Sequence, residues 1–181
     1  MEKKAIGQNL VRPDGWDKIS GRAKYAADYS MEGMLHVALV RSERAHAEIL
    51  SVDCAAAESQ ALVFTAADLA ENIIDDIISD QPVLAEGKVR FMGEPIAVVA
   101  APTRAQAKRA AKLVKVEYRD LPVYTEAKDA IAEGAVPIHP DGNFLGSFDS
   151  VKGDPEAGFA AADLVLERNY TAQRQEHGYM E

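Results

Sequence analysis

Apolar and polar positions alternate with a period of two early in the chain. Leu35, Val37 and Leu39 alternate with Met34, His36 and Ala38, which predicts a strand over 34–40 with few charges on either face. A second alternation over 45–53 sets Ala47, Ile49 and Ser51 against Glu48, Leu50 and Val52. The short connection RSERAH between the two predicts a β-rich start in which these strands pair. ALVF at 61–64 reads as a short buried strand, and Thr65 with Asp68 fits a capping box. Ile73, Ile74, Ile77 and Ile78 share one face at helical spacing, with Asp75 and Asp76 opposite, which predicts a solvated amphipathic turn or two.

GEPIAVVAA at 93–101 is the clearest element. It is a continuous apolar run of strand length bounded by Gly93 and Pro102, and so predicts a central buried strand. TRAQAKRAAKLV predicts a helix, with Thr103 as cap and Gln106 reaching back from the third position. KVEYRDLPVY returns as a strand closed by Pro122, so 93–124 has the rhythm of a βαβ crossover. Its strand-to-helix connection, AAPTRAQ, carries no glycine-rich phosphate loop, which removes a nucleotide-binding reading. From Tyr124 the period disappears and glycine and proline accumulate, as expected of a long surface connector. A short helix follows near Pro155–Ala162, and alternation resumes at Leu164, Leu166 and Arg168 against Val165, Glu167 and Asn169, opening a new strand. The first fifteen residues, ending in the turn cluster Pro13, Asp14 and Gly15, read as an arm. No internal repeat appears.

Composition narrows the function classes. At 181 residues the chain can bury a core, and 48% apolar with 27% charged residues is the balance of a globular domain. A net charge of −9 argues against nucleic acid and anionic membrane as partners, since both need a basic face. The start lacks the apolar core of a signal peptide and no run is long enough to span a bilayer, so the expected location is cytoplasmic. The single cysteine, Cys54, excludes an internal disulfide and any cysteine-ligated cluster within these residues, and is expected as a buried thiol.

Motif chemistry yields no active site. His36, His46, His139 and His177 stand at no zinc-type spacing, and ordinary structural roles are expected of them. There is no GxSxG elbow, and Asp75 and Asp76 point apart as sequence neighbours. The expected sets of catalytic and metal-ligating residues are therefore both empty.

Five phrases, in order, carry a resemblance: SGRAKYAADYSMEGMLHVALVRSERAHAEILSVD, VFTAADL, PVLAEGKVRFMGEPIAVVAA, AQAKRAAKLVKVEYRDLPV and GDPEAGFAAADLVLERNYTAQRQEHGYME. Across about residues 16–181 the chain resembles the start of the molybdopterin-binding subunit of the xanthine dehydrogenase/aldehyde oxidase family. The resemblance implies an α+β fold: an N-terminal arm over 1–15, an α/β-hammerhead domain over 16–124, a connector over 125–163, and over 164–181 the first strand of a molybdopterin-binding domain.

The resemblance also implies a chemistry. In such enzymes a molybdenum centre oxidises an N-heterocycle such as a purine, or an aldehyde, with water as oxygen source. Gln175 matches the glutamine that approaches the metal's oxo or water ligand, and is the one cofactor-binding residue expected here; a neutral amide donates N–H there without adding charge. His177, Tyr179 and Glu181 match supporting positions, and QEHGYME leans toward xanthine dehydrogenase rather than carbon monoxide dehydrogenase. The pterin loops and the catalytic glutamate lie beyond position 181, so the chain is expected to be an inactive N-terminal fragment binding no molybdopterin-type cofactor by itself. Iron–sulfur and FAD groups are expected on other domains or subunits, and the opening Met favours separate subunits. The competing expectation is a stand-alone, non-catalytic hammerhead serving as a scaffold or binding domain. The length of the open reading frame separates the two.

Overall fold

The computed structural model describes residues 7, 9–75, 78–173, 175 and 178. By contacts the chain divides into two units, residues 33–149 and the flanking segments 1–32 with 150–181.

Residues 33–149 hold two three-stranded antiparallel sheets. The first has the order β1 (His36–Arg41), β5 (Pro95–Ala101), β3 (Leu62–Thr65); the second has β4 (Lys88–Val89), β2 (Ala47–Asp53), β6 (Lys115–Asp120). The apolar run at 93–101 is thus a central strand, as its unbroken hydrophobicity requires, and Ala97, Val99 and Ala101 are almost wholly buried. Helix α3 (Arg104–Ala111) covers that side of the sheet through Ala107 and Ala110, whose small side chains allow close approach. The Thr103 hydroxyl accepts from the Gln106 N–H at 3.2 Å and donates to the Gln106 amide oxygen at 2.9 Å. Ile96, on the other side of β5, joins Ala47, Ala85 and Val89 in the core that unites the two sheets.

Several expectations change. The strands at 36–41 and 47–53 do not pair with each other; each turns into a different sheet around Ser42, whose hydroxyl accepts from the Arg44 N–H and donates to the Arg44 carbonyl. Likewise β5 and β6 lie in separate sheets, so 93–124 is no βαβ crossover. The alternation in β2 breaks at Leu50: Ile49 faces Tyr118 and Ser51 faces Glu117, leaving Leu50 as an unpaired bulge residue. Consequently Ile49 and Val52 both pack on the core, although simple alternation sets them on opposite faces. ALVF does form β3, but Leu62 and Phe64 are exposed rather than buried.

The isoleucine segment is not helical in its described part. Ile74 makes an isolated bridge to Gln81, and the Asn72 amide pairs with both backbone groups of Leu84 at 2.9 Å, holding the segment extended. β-Branched residues lose rotamer freedom in a helix, and here an amide ladder outcompetes a weak one. Asp76 and Ile77 lie outside the described residues. Cys54, which precedes the single turn α2 (Ala55–Glu58), is half-buried rather than buried.

The connector is tied down. Tyr124 Oη accepts from the Val136 N–H at 2.8 Å. Asn143 Oδ1 accepts from the Ile138 N–H, while its Nδ2 donates to the carbonyls of Ala130 and Val136. One helical turn, α4 (Ala127–Ala130), precedes them. Further, Asp68 takes both the Thr65 N–H and the Thr65 hydroxyl, as its spacing predicts.

The flanking unit contains α1 (Gly15–Ile19) and α5 (Pro155–Ala161), the second capped by Asp154 through the Ala157 N–H at 3.0 Å. Neither helix buries a residue. The alternating stretch from Leu164 joins no ladder among the described residues, and Leu164 and Leu166 stay open to solvent. A strand is completed by its partner's hydrogen bonds, and the described residues supply none here. No described helix is long and apolar enough to cross a membrane.

Candidate functional site

Gln175 follows the alternating stretch and is exposed. Its amide offers two donors and an acceptor. His177, Tyr179 and Glu181 lie outside the described residues. Among the described residues no group of three His, Cys, Asp or Glu side chains is arranged to hold a metal. Among the described residues, Gln175 would bring one neutral amide to a molybdopterin-type group. A cradle for pterin and phosphate would have to come from other residues.

The histidines take separate places. His36 is half-buried on β1, and His139 Nδ1 stands 2.9 Å from Asp80 Oδ2 at an angle that makes no hydrogen bond. His46, at the entry to β2, is buried. Its Nδ1 lies 2.6 Å from the Pro122 carbonyl, and since a carbonyl only accepts, Nδ1 carries the proton. Nε2 is left buried without a partner among the described residues.

Sequence reasoning missed the group beside it. Arg90 and Glu94 form an ion pair at 3.1 Å with side chains only 12% and 3% exposed, and the Glu94 carboxylate also accepts the Arg90 N–H. The turn between them is closed by Gly93, at φ +89, with Gly93 N–H donating to the Ser42 carbonyl and Ser42 N–H to that of Glu94. The available signal was opposite charges four apart around a glycine, inside an otherwise apolar stretch. Arg90 and His46 both line a cavity of about 180 Å³. Arg90 Nε, like His46 Nε2, is buried without a partner among the described residues.

Other electrostatics are structural. Burial pushes the Cys54 thiol up, with Glu58, Asp53 and Asp68 adding to it. Burial also lowers the Lys88 ammonium and raises the Tyr118 phenol.

Comparison with known proteins supplies the family. Residues 20–122, more than half the chain, match the family described as "Aldehyde oxidase and xanthine dehydrogenase, a/b hammerhead domain". A probable xanthine dehydrogenase subunit of Bacillus subtilis (strain 168) is 43% identical over 94% of the chain, and a "Nicotinate dehydrogenase large molybdopterin subunit" of Eubacterium barkeri is 35% identical over 97%. The chain spans only 24% and 42% of those two relatives. Among solved structures, quinoline 2-oxidoreductase from Pseudomonas putida 86 superposes with a TM-score of 0.66 at 40% identity, covering 76% of this chain and 19% of that one. The two-sheet unit around β5 is therefore a hammerhead, and this chain belongs to the aldehyde oxidase and xanthine dehydrogenase family.

Proposed function

We propose that this chain is the N-terminal part of the molybdopterin-binding large subunit of a molybdenum hydroxylase. The whole enzyme would oxidise an N-heterocycle, such as a purine, or an aldehyde, taking its oxygen from water. The single observation carrying this reading is likeness over nearly the whole chain to a xanthine dehydrogenase subunit and to a nicotinate dehydrogenase large molybdopterin subunit. On this reading the hammerhead spans about 16–124, 125–163 connects, and 164–181 opens the molybdopterin-binding domain. Iron–sulfur and FAD partner subunits carry the electrons onward, and the assembly works in the cytoplasm.

Bound molybdopterin would supply the two-electron redox chemistry. This chain's own contributions are a rigid support and one polar contact. The hammerhead's core is the apolar cluster of Ala47, Ala85, Val89 and Ile96, a support on which the following segment can be built. Exposed Leu164, Leu166 and Phe159 ask for apolar cover, as the opening segment of a further domain would. Gln175 would hold the group through an uncharged amide, which donates a hydrogen bond without altering the local charge.

The test uses the complete gene product, comparing Gln175→Ala with the unaltered enzyme. Turnover falls about tenfold or more with molybdenum content unchanged, the size expected when a group touching a metal's ligands is lost. Unchanged turnover in Gln175→Ala would remove Gln175 from the site, and a complete gene product without molybdenum would remove the proposal.

A further inference from the structure

Arg104 and Lys108 of helix α3 and its C-cap residue Lys112 follow one another at steps of four, so three cations share one ridge. Like charges at that spacing destabilise a helix, and Arg104 in addition sits in the first turn, where the helix dipole disfavours a cation. Among the described residues no carboxylate lies in ion-pair contact with any of the three. Lys108 and Lys112 suit the dipole at the helix's C-terminal end, whereas Arg104 does not, and the three together form a cationic ridge on a chain that as a whole is acidic, at −9.

The ridge borders a groove of about 640 Å³ whose opposite wall is β1. Among the described residues β1 is an edge strand: β5 occupies one side, and the other side pairs with no described strand, a template for a further one. The two faces of β1 differ. Ala38 and Val40 pair with Val99 and Ala97 and so point to the side covered by α3. Val37 and Leu39 point to the opposite face and stand 57% and 40% exposed, beside Leu62 and Phe64 across the sheet. A strand added to β1 would therefore set alternate side chains beside the cations of α3 and beside an open apolar face. One carboxylate, Glu43, also lines the groove and leaves the excess positive.

We propose that the β1–α3 groove is a docking site for an extended segment of another polypeptide chain, in which acidic and apolar residues alternate. Backbone pairing with β1 supplies affinity, the acids meet Arg104, Lys108 and Lys112, and the apolar residues cover Val37 and Leu39. Charge complementarity selects this occupant over a second copy, which brings the same cationic ridge. It does not rest on Gln175 or on the reaction proposed above.

The probe is a short, end-capped peptide alternating glutamate with valine, titrated into the chain of 181 residues and followed by amide chemical shifts. Shifts concentrate at 36–41 and 104–112, the β1 amides gain exchange protection, and affinity falls at least about tenfold in Lys108→Glu/Lys112→Glu, a charge reversal inside the contact. Lys108→Ala/Lys112→Ala weakens binding less, and unchanged circular dichroism of both variants shows that folding is intact. Raising salt from about 0.01 M to about 0.15 M shortens the screening length from about 30 Å to about 8 Å and weakens binding. Equal binding of a peptide alternating lysine with valine, or of one with acids and valines in separate blocks, would overturn the proposal. So would shifts elsewhere on the surface, tighter binding of single-stranded DNA, or self-association abolished by the charge reversal.

Discussion

Arg90 and Glu94 face each other at 3.1 Å across a glycine turn, with both side chains almost withdrawn from solvent, and Arg90 lines a cavity together with buried His46. The turn they close leads into β5, the central strand of the first sheet, whose Ile96 joins the core shared with the second. Removing one charge leaves the other buried and unpaired. Glu94→Ala should therefore lower stability by about 3–5 kcal/mol, whereas R90M/E94L, which removes both charges, should cost markedly less. Urea unfolding of the two variants checks this, and equal losses would show that the pair contributes no more than its packing.

Asn143 acts as a hub for the connector, receiving one backbone N–H and supplying two donors to carbonyls. At about 1 kcal/mol for each bond, Asn143→Ala should cost about 2–3 kcal/mol or free the 130–143 segment locally. Hydrogen exchange at Val136 and Ile138 distinguishes these from no effect, since either outcome lowers protection at both amides. Full protection with unchanged stability would show that other contacts hold the segment.

Cys54 gives a pH-dependent prediction. Burial and three neighbouring carboxylates raise its folded value, so at any given pH less thiolate is present than in a free thiol. Alkylation by iodoacetamide in the folded protein should inflect at higher pH than in the urea-unfolded chain and should be slower at pH 8. An inflection below that of the unfolded chain would mean that a nearby cation or helix terminus, not burial, governs the thiol.

The parts of the fold legible in the sequence are those governed by local rules. The apolar run 93–101 had to be a central strand, Thr103 and Gln106 had to start a helix, and Thr65 with Asp68 had to close a turn. Sheet membership was not legible, because alternation specifies faces rather than partners, and β1 and β2 give identical signals whether or not they pair. The bulge at Leu50 escaped for a related reason: one extra residue resets the phase without changing composition. The isoleucine segment misled because its helical spacing competed with an asparagine that can imitate a strand's backbone. Gln175 could be singled out only through resemblance to a family, since an exposed amide in an unpaired segment has no physical signature of its own.

The origin of the oxygen atom in the product tests the proposed chemistry most directly. The complete gene product, with its partner subunits, is supplied with an N-heterocycle or an aldehyde in ¹⁸O-labelled water under unlabelled dioxygen, over a single turnover. The account predicts product carrying the heavy isotope, formed in proportion to the molybdenum present. Product carrying oxygen from dioxygen, or formed equally well by molybdenum-free protein, would contradict it.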